Sequence, residues 1–257
     1  MKTSTKKILV AAATHWELRA VKQLWNSQPS KNMTADFLQT GIGNINSSLH
    51  LTQSLSQNSY DFVINIWVCW YSQTQEPLIQ IIRSIYHPTG RELLTPVFFE
   101  FAPLKSICCS ETPITDAHAL WDEYYVDMES YAVEKVCEYF AIPRLILKVP
   151  IDKVWVETES FDYTSACTTL WENIDIKQLK NSLEKYLSTL SEKYDISTYL
   201  SHYHFTASEK IIFEKYFHKY ITLSNQDFDT FFTTHKNLEK TNFLQQFSEA
   251  LTSLSHI

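Results

Sequence analysis

Two hydrophobic periods alternate along the first two thirds of the chain. Residues 7–13, KILVAAA, are an apolar run of strand length. The stretch HWELRAVKQLW follows, with Leu18, Val21 and Leu24 on one helical face. A second helix is predicted over 45–56, entered from the turn LQTGIGNIN. Residues 61–69, DFVINIWVC, are apolar on both faces, as a strand between two helical layers is. Strand-like segments occupy 91–109. Helical spacing returns from Met128 to Phe140, with Met128, Ala132, Val133, Val136 and Phe140 in one stripe. LILKV (145–149) then reads as a strand stopped by Pro150. Strands alternating with helices predict an α/β domain over residues 1–190, with a mixed, largely parallel central sheet flanked by helices. Residues 191–257 show no buried-strand pattern. SEKIIFEKYFHKYI, capped at Ser208, and NFLQQFSEALTSL are amphipathic helices, so a helical C-terminal extension is predicted, joined near Ser188–Ser197.

Composition narrows the class. An apolar fraction of 44% and a charged fraction of 20% in 257 residues are those of a soluble globular protein. No apolar run approaches the ~20 residues of a membrane span, and ILVAAA reads as a first strand rather than a signal peptide. A net charge of −7 argues against nucleic acid as a partner. Cys69, Cys108, Cys109, Cys137 and Cys167 lack metal-type spacing and read as buried thiols of a reducing cytosol. His202 and His204, without a companion cluster, read as surface or capping residues rather than metal ligands. The aromatic stretch FHKYITLSNQDFDTFF reads as a small helical core, with a lid or partner surface as the other reading.

Chemistry is concentrated in two features. The chain has three glycines, and Gly41 and Gly43 both fall in LQTGIGNIN, where the backbone needs positive φ or close approach. Three carboxylates sit near strand ends: Glu17 in the first turn after the first strand, Glu129 in VDMES, and Asp152 just beyond LILKV. Ligands of open α/β sheets bind outside the carboxyl ends of the strands. Each acid also has an ordinary structural reading. Glu17 and Glu129 suit a helix dipole, Asp127 is an N-cap type, and Asp152 can pair with Lys153 in solvent. Spacing alone leaves both readings open.

The ordered set KILVAAATHWEL, TGIGNIN, YDFVIN, VDMESYAVEKVCEYFAIP and LILKVPID resembles the nucleoside phosphorylase superfamily over about residues 6–155. It looks most like the hydrolytic branch, the methylthioadenosine/S-adenosylhomocysteine nucleosidases and futalosine hydrolases. The resemblance implies a nucleoside-phosphorylase-like three-layer fold, and hydrolysis of a purine nucleoside at its N-ribosidic bond with no metal or organic cofactor. It implies that Asp152 serves purine N7 and that Glu17 activates the water. Glu129 would hold the ribose hydroxyls, with Met128 beside the sugar. The base would bind near Glu111–Ile114, using Ile114, and Gly43 and Trp67 would contact substrate. A cytoplasmic homodimer is implied as well. A phosphorylase would need a cationic phosphate site, for which Arg19 and Lys148 are the candidates. The sequence departs from the resemblance where relatives carry a loop close to Gly-Ser-Ala-Gly-Gly and this chain reads IWVCWYS. Ile151 stands where Ser is common, and the segment 73–105 is short. Trp67 and Trp70 thus keep open a homologue that binds a ligand or partner without catalysis.

Overall fold

A computed structural model describes residues 5–73, 75–114, 116, 120, 123–154, 163–193, 196–223 and 227–254. They group into two compact units, Met1–Cys137 with Pro143–Leu187 and Glu138–Ile142 with Ser188–Ile257. In the first, β1 (Lys6–Ala12), α1 (His15–Asn26), β2 (Met33–Gln39), α2 (Asn44–Gln57) and β3 (Phe62–Tyr71) are followed by β4 (Ile79–Tyr86), β5 (Arg91–Leu94), β6 (Leu104–Cys109) and β7 (Tyr125–Asp127). Then come α3 (Ser130–Phe140), β8 (Arg144–Lys153), α4 (Tyr163–Asn173) and α5 (Ile176–Lys193).

β1 is parallel to β2 and β3, β3 to β8, β4 to β6 and β6 to β7, while β3–β7, β4–β5 and β4–β8 are antiparallel. The mixed, largely parallel sheet expected from the sequence is therefore present. The pairings β3–β8–β4–β6–β7–β3 return on themselves, so part of the sheet closes into a ring. Ile8, Val10, Phe62, Ile64, Leu145 and Leu147 form the heart of the core, joined by Leu179, Leu183 and Leu187 of α5.

Several boundaries differ from the sequence reading, each for a local reason. β3 continues past Cys69 to Tyr71, because Trp70 and Tyr71 are laddered to β8 on one edge and to β7 on the other. β8 passes through Pro150 instead of stopping there. Pro150 pairs with Cys69 just before the register shifts, Ile151 being the extra residue of β8, and a bulge is where a strand tolerates the missing N–H. α3 starts at Ser130, which leaves Met128 and Glu129 on the turn before it. The first helix of the SEKIIFEKYFHKYI stretch is capped by Thr206, not Ser208. The Glu209 N–H donates to Thr206 Oγ1 at 3.3 Å, and the Thr206 N–H donates to Glu209 Oε2 at 2.7 Å. β2 lies at the edge of the sheet with half its side chains in solvent, so MTADFLQ carries no apolar run to betray it.

The second unit holds α6 (Ile196–His202), α7 (Ala207–Leu223), α8 (Phe228–His235) and α9 (Lys240–Leu254). Phe213, Phe217, Phe228, Phe243 and Phe247 are buried against one another with Tyr199 and Tyr220, which is the aromatic core read from the sequence. The His202 ring Nε2 donates to the Lys236 carbonyl at 2.8 Å, a capping role. Among the described residues no helix is long and apolar enough to cross a membrane.

Candidate active site

The site begins with a helix cap. Thr14 follows β1 in extended conformation and opens α1. Its Oγ1 accepts from the Glu17 N–H at 3.3 Å, and Glu17 Oε2 accepts from the Thr14 N–H at 2.9 Å and the Thr14 hydroxyl at 2.8 Å. This capping box turns the Glu17 carboxylate inward, where the residue is 2% exposed. The structural reading of Glu17 as a first-turn acid is thus met.

The glycine turn supplies the opposite side. Gly41 and Gly43 have φ of +82° and +90°, the left-handed region open to glycine, and a Cβ on Gly41 would lie 3.0 Å from Asn46 Cβ. With the backbone so turned, the Gly43 N–H donates to Glu129 Oε1 at 2.8 Å. The Met128 N–H donates to Glu129 Oε2 at 3.2 Å. Both Glu129 oxygens therefore have backbone donors, and the side chain is held at 2% exposure.

Behind this layer lies a buried polar centre. Lys148 of β8, fully buried, places Nζ 2.8 Å from Asp127 Oδ2 and donates to Asn65 Oδ1 at 3.0 Å. The same ammonium lies 4.9 Å from the centre of the Trp67 ring. Asp127 also accepts from the Ser130 N–H at 3.1 Å and the Ser130 hydroxyl at 2.6 Å, which fixes the start of α3. The sequence signal for this centre was a lysine inside LILKV and an asparagine inside FVIN. Polar residues in fully buried strands need partners.

These parts enclose a cavity of about 200 Å³ lined by Thr14, Glu17, Ile42, Trp67, Val68, Cys69, Trp70, Pro113, Met128 and Glu129. It brings together Glu17, Trp67, Met128 and Glu129 from the residues singled out in the sequence. Gly43 acts through its bond to Glu129. Ile114 is buried behind the wall with Cys108, Val126 and Val154, and Trp70 packs against the same group. Asp152 is not among the lining residues. It sits on β8 as the ladder partner of Trp70. Val68, Cys69 and Trp70 contribute wall that the sequence reading had treated only as an altered loop. Among the described residues the Trp70 Nε1 is buried without a hydrogen-bond partner. Arg19 lies elsewhere, in an open groove with Trp16 and Trp171.

Burial dominates the electrostatics. It raises the Glu17 carboxyl above the usual range, against the Thr14 hydrogen bonds and the Lys148 charge. Glu129 is pushed up to about 8 by burial and by the Asp127 carboxylate, against the Lys148 charge and the Gly43 N–H. Lys148 is raised: burial works against its charge, and Asp127 and Glu129 outweigh it. Glu129 thus binds a proton in the folded chain between the ordinary carboxylate range and about pH 8, where the unfolded chain has lost it. Stability from this group is full below the ordinary range and is lost as pH rises through about 8. Thermal unfolding between pH 4 and pH 9 should show this fall, by at least ~2 °C. Glu129→Gln, neutral and isosteric, should flatten it, and equal slopes in the two proteins would rule the effect out.

No protein-family model matches the sequence, and neither does any curated protein. Solved structures do. A Helicobacter pylori methylthioadenosine/S-adenosylhomocysteine nucleosidase mutant, with methylthioadenosine in its active site, aligns at a TM-score of 0.59 and 13% identity, over 70% of this chain and 99% of its own. A Helicobacter pylori futalosine hydrolase mutant aligns at 0.59 and 14%, over 70% and 100%. The Colwellia psychrerythraea nucleosidase in complex with adenine aligns at 0.59 and 13%, over 73% and 98%. At these identities the likeness is one of fold. The chain has the nucleoside-phosphorylase-like fold that the sequence motifs resemble.

Proposed function

We propose that the chain hydrolyses the N-ribosidic bond of a nucleoside, with a purine nucleoside such as methylthioadenosine, S-adenosylhomocysteine or futalosine as the first class to test. The observation that carries this reading is the convergence of Glu17, Met128 and Glu129 on one cavity, on the fold of the nucleosidases. Glu17 orients the attacking water and takes its proton. Glu129, its oxygens fixed by two backbone amides, accepts the ribose hydroxyls, and Met128 packs beside the ring. Asp152 serves the leaving purine, as the resemblance implies.

Water is favoured over phosphate because the Lys148 ammonium is committed to Asp127 and Asn65. Arg19 lines a separate groove. Incubation with the three nucleosides, inosine and adenosine, with and without phosphate, reads base release by chromatography. Release independent of phosphate is the expected result, and intact nucleosides at high protein concentration would sink the proposal.

A second reading has its own observation. The cavity of about 200 Å³ lies below the ~300–1,000 Å³ usual for ligand pockets, and two indoles line it. On that reading the chain holds a ligand without turning it over. Calorimetric binding of a nucleoside that stays intact is its signature, and catalytic base release excludes it.

A further inference from the structure

Glu129 directly precedes α3, so its place depends on how that helix is anchored. The first four N–H groups of a helix have no partner inside it, and in α3 each finds one. The Ser130 N–H donates to the Asp127 carboxylate and the Val133 N–H to the Glu129 carbonyl, both within the same turn. The two between them reach further. The Tyr131 N–H donates to Cys109 Sγ at 3.4 Å, at the end of β6. The Ala132 N–H donates to Asn44 Oδ1 at 3.0 Å, at the start of α2. Two distant segments therefore complete the N-terminal cap of α3.

Asn44 does more than close that helix. Its Oδ1 also accepts from the Cys109 thiol at 3.4 Å, and its Nδ2 donates to the Ser110 carbonyl at 3.5 Å. An asparagine at a helix start ordinarily caps its own helix, whereas these three bonds all leave α2 for β6 and α3. The residue is 6% exposed, so an amide group left unpaired there would bear its full desolvation cost. Asn44 follows Gly43, whose N–H donates to Glu129 Oε1 at 2.8 Å. The bonds Gly43–Glu129 and Asn44–Ala132 are thus neighbouring tethers between the same two turns, one through the site carboxylate and one behind it.

We propose that Asn44 is the positioning residue of Glu129: by tying the start of α2 to the first turn of α3 and to the end of β6, it sets the separation at which the Gly43 N–H meets Glu129 Oε1. Its consequence for turnover rests on the hydrolytic reading proposed above, in which Glu129 holds the ribose hydroxyls. Asn44 touches neither substrate nor water in this role and acts through the carboxylate.

Amide hydrogen exchange of the intact chain, followed by NMR, reads the Gly43 N–H directly. In Asn44→Ala it is expected to exchange at least about tenfold faster, as the loss of one well-placed hydrogen bond allows. The Thr40 and Gly41 N–H groups lie on the same turn but donate to the Ala12 and Ala13 carbonyls, and they should keep the parent rates. Asn44→Asp keeps the side-chain shape and the acceptor for α3 but not the amide donor for Ser110, and carries the same test if the alanine variant does not fold. An unchanged Gly43 rate, or an equal rise at all three amides, marks a residue that serves stability alone and overturns the inference. Kinetics gives a second readout. In the variant, kcat/KM for adenosine is expected to fall at least about tenfold. That for 2′,3′-dideoxyadenosine, which offers Glu129 no 2′ or 3′ hydroxyl, should stay near the parent value. An equal fall for both nucleosides also overturns the inference. If no nucleoside releases its base from the parent chain, the hydrolytic reading fails, and the Gly43 exchange rate still decides whether Asn44 places Glu129.

Discussion

Replacing Glu17 by Gln is expected to lower nucleoside hydrolysis by ~10²–10⁴-fold, the usual worth of a positioned general base. The structure makes the substitution informative because the hydrolytic proposal gives Glu17 a second job beside its cap. Its Oε2 accepts from the Thr14 backbone and hydroxyl, closing the first turn of α1. The glutamine amide oxygen can keep accepting from Thr14, so the cap survives while the base is lost. The unfolding temperature of Glu17→Gln should stay near that of the parent chain while base release collapses. A variant that loses stability and keeps its turnover would show that the carboxylate serves only the cap.

The largest stability effect is expected at Lys148. Lys148→Met keeps the length and apolar stem of the side chain but strips Asp127 of its counter-charge in a place closed to water. Removing one partner of a buried ion pair costs about 3–5 kcal/mol, because the other charge stays buried and unpaired. Asn65 and the Trp67 ring lose their cation as well. Urea unfolding of Lys148→Met, of Asp127→Asn and of the double variant closes a cycle. The double variant should be less destabilised than the two singles predict, since it leaves no uncompensated charge. Strict additivity would mean that the two residues act separately.

Much of the fold was legible because buried parallel strands and their covering helices write themselves as apolar runs and stripes. KILVAAA, DFVINIWVC and LILKV are β1, β3 and β8, and HWELRAVKQLW is α1. What escaped were elements whose burial is partial or whose polar residues find partners only across the fold. β2 is such an edge strand. The extension of β8 through Pro150 depends on a bulge at Ile151, within β8 itself, that no local pattern announces. In the site, Glu17 and Glu129 stood out from their places near strand ends, while Met128 and the roles of all three came only from the resemblance to the nucleosidase motifs. The Lys148–Asp127–Asn65 centre joins three segments far apart in sequence, so its hydrogen bonds follow from topology. Asp152 lies outside the lining, and its ladder partner Trp70 puts an indole where a glycine loop would leave space.

The closed ring of strands has a mechanical consequence for this cavity. A loop of small residues can swing to admit a ligand at little cost. Here the Trp67–Trp70 wall is part of β3, tied along its length to β8 and also to β7 at Trp70 and Tyr71. Moving it as a unit breaks ladder hydrogen bonds on two edges of a ring that offers no free end from which to peel. Compliance therefore falls to the opposite lip, where Ile42 stands half exposed on a turn outside the sheet, between Gly41, whose N–H donates to the Ala13 carbonyl, and Gly43, whose N–H donates to Glu129. The cavity is a vice with one fixed jaw.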